Sequence, residues 1–226
     1  MSQADWAKGD FNRQEATLFR TVALNAPAVV LMCSVAFAAS PQSSESPTEV
    51  VRATVSEVLR ILEDPALKDP AKLLPRRRML EEVIASRFDY AEMSKRALAT
   101  HWLPLTPAER TEFVEVFKSF LSDRYAEKIE GYGGEQVLYL SERTEGSYAE
   151  VRTKLRSSKL EIPMDYRLFL KEGRWHAYDI IVDGVSLVKN YRSQFETIIR
   201  TGSYQELVRR LRERTLVEEK RPGRRE

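Results

Sequence analysis

In its first half the chain places apolar side chains three and four positions apart, the spacing that puts them on one face of a helix. A first stretch of this kind begins near Val50, and a second runs from about 76 to 86. A third opens at Asp89, which forms a plausible N-cap pair with Glu92 three residues later. The pattern therefore predicts three helices, with order beginning near Val50.

A fourth helix has the clearest start signal, in the stretch LTPAERTEF. Thr106 can cap the helix, Pro107 suits its first position, and Glu109 completes a capping box. The helix ends near the glycines of GYGG at 131–134. Its apolar stripe consists of Phe113, Val116, Phe117, Phe120, Leu121 and Tyr125.

The apolar spacing then changes to every second residue, which is typical of strands with one covered face. One face of SYAEVRTKLR carries Ala149, Val151, Thr153 and Leu155, and one face of EIPMDYRLFL carries Ile162, Met164, Tyr166, Leu168 and Leu170. EQVLYLSE before them and RWHAYDIIV after them complete four strands in a meander. After a turn at Asp183-Gly184, two more helical stretches follow, the first capped by Ser186. The sequence thus predicts an α+β fold with helices packed on one face of a four-stranded antiparallel sheet.

The composition argues against one class of partner and indicates the number of domains. The chain has 226 residues, of which 42% are hydrophobic, and its 36 Lys+Arg nearly balance 34 Asp+Glu. A nucleic-acid-binding protein would carry a basic excess, so we expect no nucleic-acid partner. The length and the apolar fraction fit one globular domain.

The N-terminal region carries an uncharged run from 21 to 44 that contains the A-x-A site Ala36-Phe37-Ala38. This pattern predicts a secretory signal peptide cleaved after Ala38 and export to the periplasm. A retained membrane anchor is the competing interpretation, although Asn25 and Pro27 interrupt the run. Acidic residues before the run suggest that residues 1–17 reflect a misplaced start site. The predicted divisions are a signal peptide (1–38), a Ser/Pro-rich leader (39–49), a folded domain (50–214) and a charged tail (215–226).

The inventory of catalytic groups is small. The only cysteine, Cys33, lies in the predicted signal peptide, and the two histidines, His101 and His176, are 75 positions apart. No nucleotide-binding, zinc or nucleophile motif is present. His176 with Asp179 could form a general base and its orienting carboxylate, but a half-buried strand histidine explains the pattern as well. We therefore predict no catalytic residue, no metal and no cofactor.

Basic residues cluster in two places. Arg76, Arg77 and Arg78 stand at a predicted helix start, where the helix dipole disfavours cations. They could contact anionic headgroups or an acidic partner, or simply remain solvated. The same alternatives apply to the basic C-terminal tail.

Three blocks carry a family likeness: RFDYAEMSKRALATHWLPLTPAERTEFVEVFKSFL from Arg87, EIPMDYRL from Glu161, and YDIIVDGVSLVKNYRSQF from Tyr178. They resemble the MlaC family, also called toluene-tolerance proteins, which are soluble periplasmic phospholipid carriers of a Gram-negative ABC transport system. The likeness spans about residues 50 to 212.

The resemblance implies an NTF2-like fold that encloses a deep apolar pocket for the two acyl chains of a phospholipid, with the headgroup near solvent. It also implies a monomer that shuttles lipid between an outer-membrane lipoprotein complex and an inner-membrane ABC transporter complex, maintaining outer-membrane lipid asymmetry. Phospholipid would then be cargo rather than cofactor. The candidate pocket-lining residues are Phe117, Phe120, Val151, Leu155, Met164, Tyr166, Leu168, Leu187, Val188, Tyr191 and Phe195. Two alternatives remain: an NTF2-like isomerase or hydrolase that uses His176 and Asp179, and a periplasmic binding module without lipid.

Overall fold

The computed structural model describes residues 45–158, 160–214 and 216. The predicted signal peptide, most of the leader and nearly all of the tail lie outside the described residues. Within them, no helix is both long enough and apolar enough to span a bilayer.

Three helices open the described chain, as predicted: α1 (Pro47–Glu63), α2 (Leu73–Arg87) and α3 (Tyr90–Leu98). The predicted start near Val50 is late by three residues, because Ser46 and Glu49 form a capping box that begins α1 at Pro47. Two short 3-10 turns, Pro65–Leu67 and Pro70–Lys72, connect α1 to α2.

The remaining helices are α4 (Pro107–Glu130), α5 (Leu187–Thr201) and α6 (Tyr204–Arg212). The predicted capping box at the start of α4 is confirmed, since the Thr106 side chain accepts from the Glu109 amide and the Glu109 carboxylate accepts from the Thr106 amide. Ser186 caps α5, also as predicted, by accepting from the Lys189 amide at 3.0 Å.

The sheet has five antiparallel strands in chain order: β1 (Gln136–Glu145), β2 (Tyr148–Arg156), β3 (Glu161–Lys171), β4 (Arg174–Val182) and β5 (Val185–Ser186). The predicted count of four is wrong, because β5 is a two-residue strand and too short to show any periodicity. It forms where Asp183 and Gly184 both adopt positive φ, 51° and 76°, as a tight two-residue hairpin turn requires.

Strand register confirms the predicted alternation. Val151 lies opposite Tyr166, which lies opposite Ile180 on the next strand. Leu155 likewise lies opposite Ile162. Because side chains alternate between faces, these partners share one apolar face, while the charged residues between them share the other.

Buried side chains form three separate clusters. The helical core joins α3, α4, α5 and α6, and includes five rings: Phe113, Phe117, Phe120, Tyr191 and Phe195. The sheet core joins the start of α1 to strands β2, β3 and β4. The α1/α2 core contains Ile61, Leu62 and Leu80, with half-buried side chains from the end of α4.

Candidate functional site

The apolar face of the sheet is covered unequally along the strands. At one end, which we call the closed half, Val51 of α1 packs on four nearly inaccessible side chains: Ala149 (6% exposed), Val151 (0%), Leu168 (0%) and Trp175 (6%). At the other end, the open half, five apolar side chains are only half-buried: Leu155, Ile162, Met164, Ile180 and Val182. Among the described residues, none of these five belongs to any of the three buried clusters. The same sheet face therefore has one filled end and one with accessible apolar surface.

Helix α1 runs along this face from the closed half towards the open half. At its start the Thr48 amide donates to the Glu142 carboxylate of β1 at 2.8 Å. At its end Glu63 accepts a bond of 3.4 Å from the Tyr132 hydroxyl, four residues before β1 begins. Val50 and Val51 near the start are buried, Val55, Val58 and Leu59 in the middle are only partly so, and Ile61 and Leu62 near the end are buried again against α2. The helix thus presents accessible apolar side chains beside the open half.

A buried carboxylate fixes the start of α5 beside the same end of the sheet. Asp179 is 1% exposed and accepts from the Ser186 hydroxyl at 2.6 Å and from the Val188 amide at 3.0 Å. The Arg167 guanidinium donates to it at 3.3 Å. Strand β4, the β5 turn and the first turn of α5 are therefore held as one unit, which places Leu187 next to the end of β4.

These bonds contradict the predicted alternative in which Asp179 orients His176. Asp179 binds Arg167, Ser186 and Val188 instead of His176. His176 is half-buried, and burial is the main cause that lowers its pKa, although the Asp89 carboxylate acts in the opposite direction. Asp179 therefore does not supply the orienting carboxylate that a general base of this type would need.

Comparison with known proteins gives the same assignment as the sequence blocks. Residues 52–213 match the family model described as MlaC protein. The chain belongs to the MlaC family. The predicted resemblance is therefore confirmed over most of the described residues.

A solved structure shows a similar arrangement. It is a phospholipid-binding protein from Ralstonia solanacearum, determined in complex with a phospholipid, and is 27% identical in sequence to this MlaC-family chain. The match has a TM-score of 0.67 and covers 73% of this chain and 94% of the Ralstonia protein. The likeness thus extends over nearly the whole of the relative.

The structure distributes the eleven predicted lining residues of this MlaC-family protein over three environments. Buried in the helical core are Phe117, Phe120, Val188, Tyr191 and Phe195; buried in the sheet core are Val151 and Leu168; half-buried are Leu155, Met164, Tyr166 and Leu187. The half-buried members retain surface that a ligand could contact, while the others pack on protein atoms. Which of the eleven touch a ligand stays a prediction.

The rings of the helical core explain its tight packing. Phe117 makes edge-to-face contacts with Tyr191 at 5.2 Å and with Phe195 at 5.1 Å between centroids. Phe113 meets Phe195 in the same way at 5.7 Å. Such pairs stabilise by about 0.5–1.5 kcal/mol beyond their area burial. This cluster packs α4 against α5, to which Tyr191 and Phe195 belong.

The polar side chains that the strands place on the apolar face are hydroxyl groups, and α1 adds the Arg52 guanidinium 4.1 Å above the Tyr139 ring. Thr153, buried in β2, donates its hydroxyl to the Met164 carbonyl, and Tyr166 donates to the Met164 Sδ at 3.3 Å. Burial raises the pKa of the Tyr166 phenol well above its ordinary value. Burial also raises the pKa of Tyr139, although the Arg52 guanidinium above its ring opposes this. These groups can orient a ligand by hydrogen bonds but are poorly suited to transfer protons at neutral pH.

Asp165 and Tyr166 are neighbours on β3, so their side chains point to opposite faces of the sheet. Asp165 lies opposite Ile181, and Tyr166 lies opposite Ile180. Burial raises the pKa of the Asp165 carboxyl, which accepts from the Thr153 amide. The two side chains do not share one pocket.

Sequence reasoning missed Ile162, Ile180 and Val182 as members of the open half. Ile162 had the correct alternation and was assigned to the apolar face, but not to the lining set. In β4 a register shift opposite Arg167 and Leu168 adds an extra residue, which interrupts the alternation. The run of four consecutive apolar or acidic positions there, DIIV, gives no signal of which side chains face inward.

Two other features of the described residues do not form a site. A surface cleft of about 290 Å³ between α4 and α6 is lined mainly by charged side chains that pair with one another, such as Arg212 with Glu112. Residues 45–158, 160–214 and 216 contain no group of three or more His, Cys, Asp or Glu side chains suited to hold a metal ion.

Proposed function

We propose that this chain is a periplasmic phospholipid carrier with an NTF2-like fold, and that the acyl chains lie on the open half of the sheet. The observation that carries the proposal is the accessible apolar surface at Leu155, Met164 and Val182, on a face whose other end is buried beneath the start of α1. A protein that left this surface to water would lose hydrophobic stabilisation. The Ralstonia relative in complex with a phospholipid supports an acyl chain as the occupant.

The energetics of acyl burial determine how such a carrier works. Burying one methylene is worth ~0.8 kcal/mol, so two chains with roughly 30 methylenes represent ~24 kcal/mol before the costs of association. Escape into water would be extremely slow. Transfer therefore takes place in contact with a membrane or a membrane protein, where the chains exchange one apolar environment for another. No nucleotide is needed by the carrier itself.

The chemistry of the polar side chains supports a binding protein rather than an enzyme. The strands place threonine and tyrosine hydroxyls on the apolar face, and the histidine-carboxylate pair suggested by sequence does not form. We infer that the partners are an outer-membrane lipoprotein complex and an inner-membrane ABC transporter complex, as in the family, and that the carrier shuttles as a monomer to maintain outer-membrane lipid asymmetry. The predicted signal peptide supports a periplasmic location.

The direct test is native mass spectrometry with lipid extraction on protein purified from the periplasm. Phospholipid should be retained by the wild-type protein and lost from Met164→Glu, because a carboxylate on the open half would have to be buried beside an acyl chain. Leu140→Glu is the matched control, since Leu140 is 54% exposed. It should keep its lipid.

An empty wild-type protein would reject the carrier and leave the binding module without lipid as the better account. Retention of lipid by a folded Met164→Glu variant would remove the open half as the acyl site. His176→Gln distinguishes the enzyme alternative, because its lipid content should equal that of the wild type, and any hydrolysis of bound lipid that depends on His176 would favour the enzyme.

A further inference from the structure

The outer side of α5 carries more cations than carboxylates. Lys189, Arg192 and Arg200 are exposed and form no ion pair among residues 45–158, 160–214 and 216. Arg192 follows Lys189 by about one helical turn and precedes Arg200 by about two, so the three side chains lie on one side of the helix. The only carboxylate of α5, Glu196, lies on the same side, 2.7 Å from the His101 Nε2. This side of α5 therefore keeps a positive excess.

Helix α3 extends this basic surface. The Arg192 Nε donates to the Arg96 carbonyl at 2.9 Å, which fixes the outer side of α5 beside the end of α3. Lys95 is exposed, and the Glu92 carboxylate is shared between Lys95 at 4.0 Å and Arg96 at 2.8 Å. The two helices together hold five cations, Lys95, Arg96, Lys189, Arg192 and Arg200, against two carboxylates, Glu92 and Glu196.

Carboxylates near the two helices along the chain do not cancel the excess. Asp89, just before α3, pairs with Lys171 at 2.9 Å. Asp179 is buried and accepts from the Arg167 guanidinium. Asp183, in the turn before α5, is exposed and adds one carboxylate, so that five cations still face three carboxylates. The positive excess is therefore a property of the whole surface and not of one helix face alone.

An exposed aromatic ring adjoins these cations. The Arg96 guanidinium lies 4.1 Å from the ring centroid of Tyr178 and 5.5 Å from that of Tyr148. The two rings meet edge to face with their centroids 6.5 Å apart. Tyr178 is buried, whereas Tyr148 is 50% exposed, so a ring held from below presents half of its surface to solvent. We call Tyr148, Arg96, Lys189, Arg192 and Arg200 the basic-aromatic surface.

The exposed ring of the basic-aromatic surface is separate from the apolar face of the sheet. Tyr148 lies opposite Phe169, and the next residues along the two strands, Ala149 and Leu168, fill the closed half. Because side chains alternate along a strand, Tyr148 and Phe169 point to the other face. A ligand on this surface does not need the proposed lipid site, and the two can be tested independently.

We propose that the basic-aromatic surface binds an acidic segment of a partner protein, with an apolar side chain of that segment against Tyr148. Carboxylates of the segment complement the cations of α3 and α5, and tyrosine and arginine are the residue types enriched at the energetic centres of protein interfaces. A bilayer fits less well, because membrane-binding helices present apolar side chains to lipid. None of the large exposed apolar side chains of the described residues lies on α3 or α5, and the neutral exposed residues between the cations of α5 are Ser193 and Thr197.

The test measures the fluorescence anisotropy of labelled nonapeptides mixed with the purified protein. The acidic probe has four glutamates on each side of a phenylalanine; one comparison peptide replaces the glutamates by glutamines, and another replaces the phenylalanine by glycine. The wild-type protein should bind the acidic probe most tightly, and added salt should weaken this binding. Each exposed ion pair contributes up to about fivefold in affinity, so Lys189→Gln with Arg200→Gln should lower it by roughly tenfold. Neither side chain makes a hydrogen bond within the described part of the chain, so the variant should stay folded.

The exposed ring is tested by a second comparison. Replacing the phenylalanine of the probe by glycine should cost the wild-type protein severalfold in affinity, because it removes the apolar contact with Tyr148. The same replacement should cost Tyr148→Ser almost nothing.

Matched controls change similar residues elsewhere. Lys72→Gln with Arg78→Gln removes two exposed cations beside α1, outside the basic-aromatic surface. Leu160→Ser removes a side chain that is 54% exposed between β2 and β3. Both variants should bind the acidic probe within about twofold of the wild type.

Three results would overturn the proposal: equal affinity for the glutamate and glutamine peptides, equal losses in the controls, or a phenylalanine contribution that survives Tyr148→Ser. Vesicles that contain phosphatidylglycerol test the bilayer directly. If Lys189→Gln with Arg200→Gln keeps its affinity for the acidic probe but loses binding to these vesicles, the surface docks on lipid and the proposal fails. Bound phospholipid, measured on the same samples, should be unchanged and reports separately on the proposed function.

Discussion

Leu168 and Met164 lie on the same strand and the same face, four residues apart, and differ in what covers them. Leu168 is inaccessible and packs under the start of α1, whereas Met164 is half-buried and belongs to none of the clusters described. Both positions follow the alternation that places an apolar residue at every second site. The comparison teaches that the pattern specifies which face is apolar, while the helices above it determine which part of that face packs and which part can accept a ligand.

The largest loss of stability should come from truncating a buried side chain of the closed half. Leu168→Ala should lower the free energy of unfolding by about 2–5 kcal/mol, because it removes transfer energy and leaves a cavity among side chains that cannot collapse. Met164→Ala should cost only about 1 kcal/mol, since much of that side chain is already accessible. Urea unfolding of the two variants, stripped of lipid, measures the difference. Equal losses would show that the two halves are packed alike.

The effects of the same two substitutions on bound phospholipid should have the opposite order to their effects on stability. Met164→Ala should weaken phospholipid retention more than Leu168→Ala does, provided that both proteins are folded under the conditions of the assay. A Leu168→Glu variant, by contrast, buries a charge with no partner and should fail to fold. Loss of lipid from that variant would therefore say nothing about which residues line the pocket.

An intermediate loss of stability should come from weakening the bonds that Asp179 accepts at the edge of the open half. We call Asp179 and these bonds the clamp. Asp179→Asn keeps the size of the side chain but removes the charge that accepts from Ser186, Val188 and Arg167, and hydrogen bonds to charged groups contribute about 1.5–3 kcal/mol. We expect a loss of roughly 2 kcal/mol in the free energy of unfolding. If the clamp positions α5 against the open half, lipid retention should fall as well.

Ser186→Ala separates the clamp from the helix cap, because Ser186 both donates to Asp179 and accepts from the Lys189 amide. Losing the cap alone costs about 1 kcal/mol. A double-mutant cycle with Asp179→Asn then gives the energy of the bond between the two side chains. A coupling energy near zero would mean that the carboxylate is held by the Val188 amide and Arg167 alone.

How much could be predicted from sequence depended on the distance between the interacting groups along the chain. The start of α4 was predictable because Thr106, Pro107 and Glu109 interact within one turn. The apolar faces of β2 and β3 were predictable because alternation is local. Arg77 and Glu130 are 53 positions apart, so their pairing had no local signal, and the basic trio could not be divided into structural and exposed members.

Prediction of the candidate site from sequence is limited in the same way, to local patterns. The alternation identified Leu155, Met164 and Tyr166 as members of the apolar face, but nothing in it distinguishes them from Val151 and Leu168. That distinction arises from the path of α1, which is buried at Val51 and only partly buried at Val58. Strand β5 and the bulge in β4 also went unpredicted, because two residues or one extra residue cannot establish a period.

The smallest expected change in stability concerns the boundary between the closed and open halves. It tests whether water reaches that boundary. Tyr166 lies there, opposite Val151 of the closed half, and burial raises the pKa of its phenol above the ordinary value near 10. A raised pKa means that the folded state holds the proton more tightly than the unfolded state. Its contribution to stability is therefore complete below about pH 10 and is lost as the pH rises from there towards the folded pKa.

Tyr166→Phe should consequently cost little at neutral pH, where only the 3.3 Å bond to the Met164 sulfur is lost. It should flatten the fall in the free energy of unfolding above about pH 10, since the other tyrosines titrate equally in both proteins. The measurement is urea unfolding of lipid-free protein at several alkaline pH values. If the two proteins lose stability with the same slope, water reaches the phenol, and the open half then extends across Tyr166 to Val151 instead of ending before it.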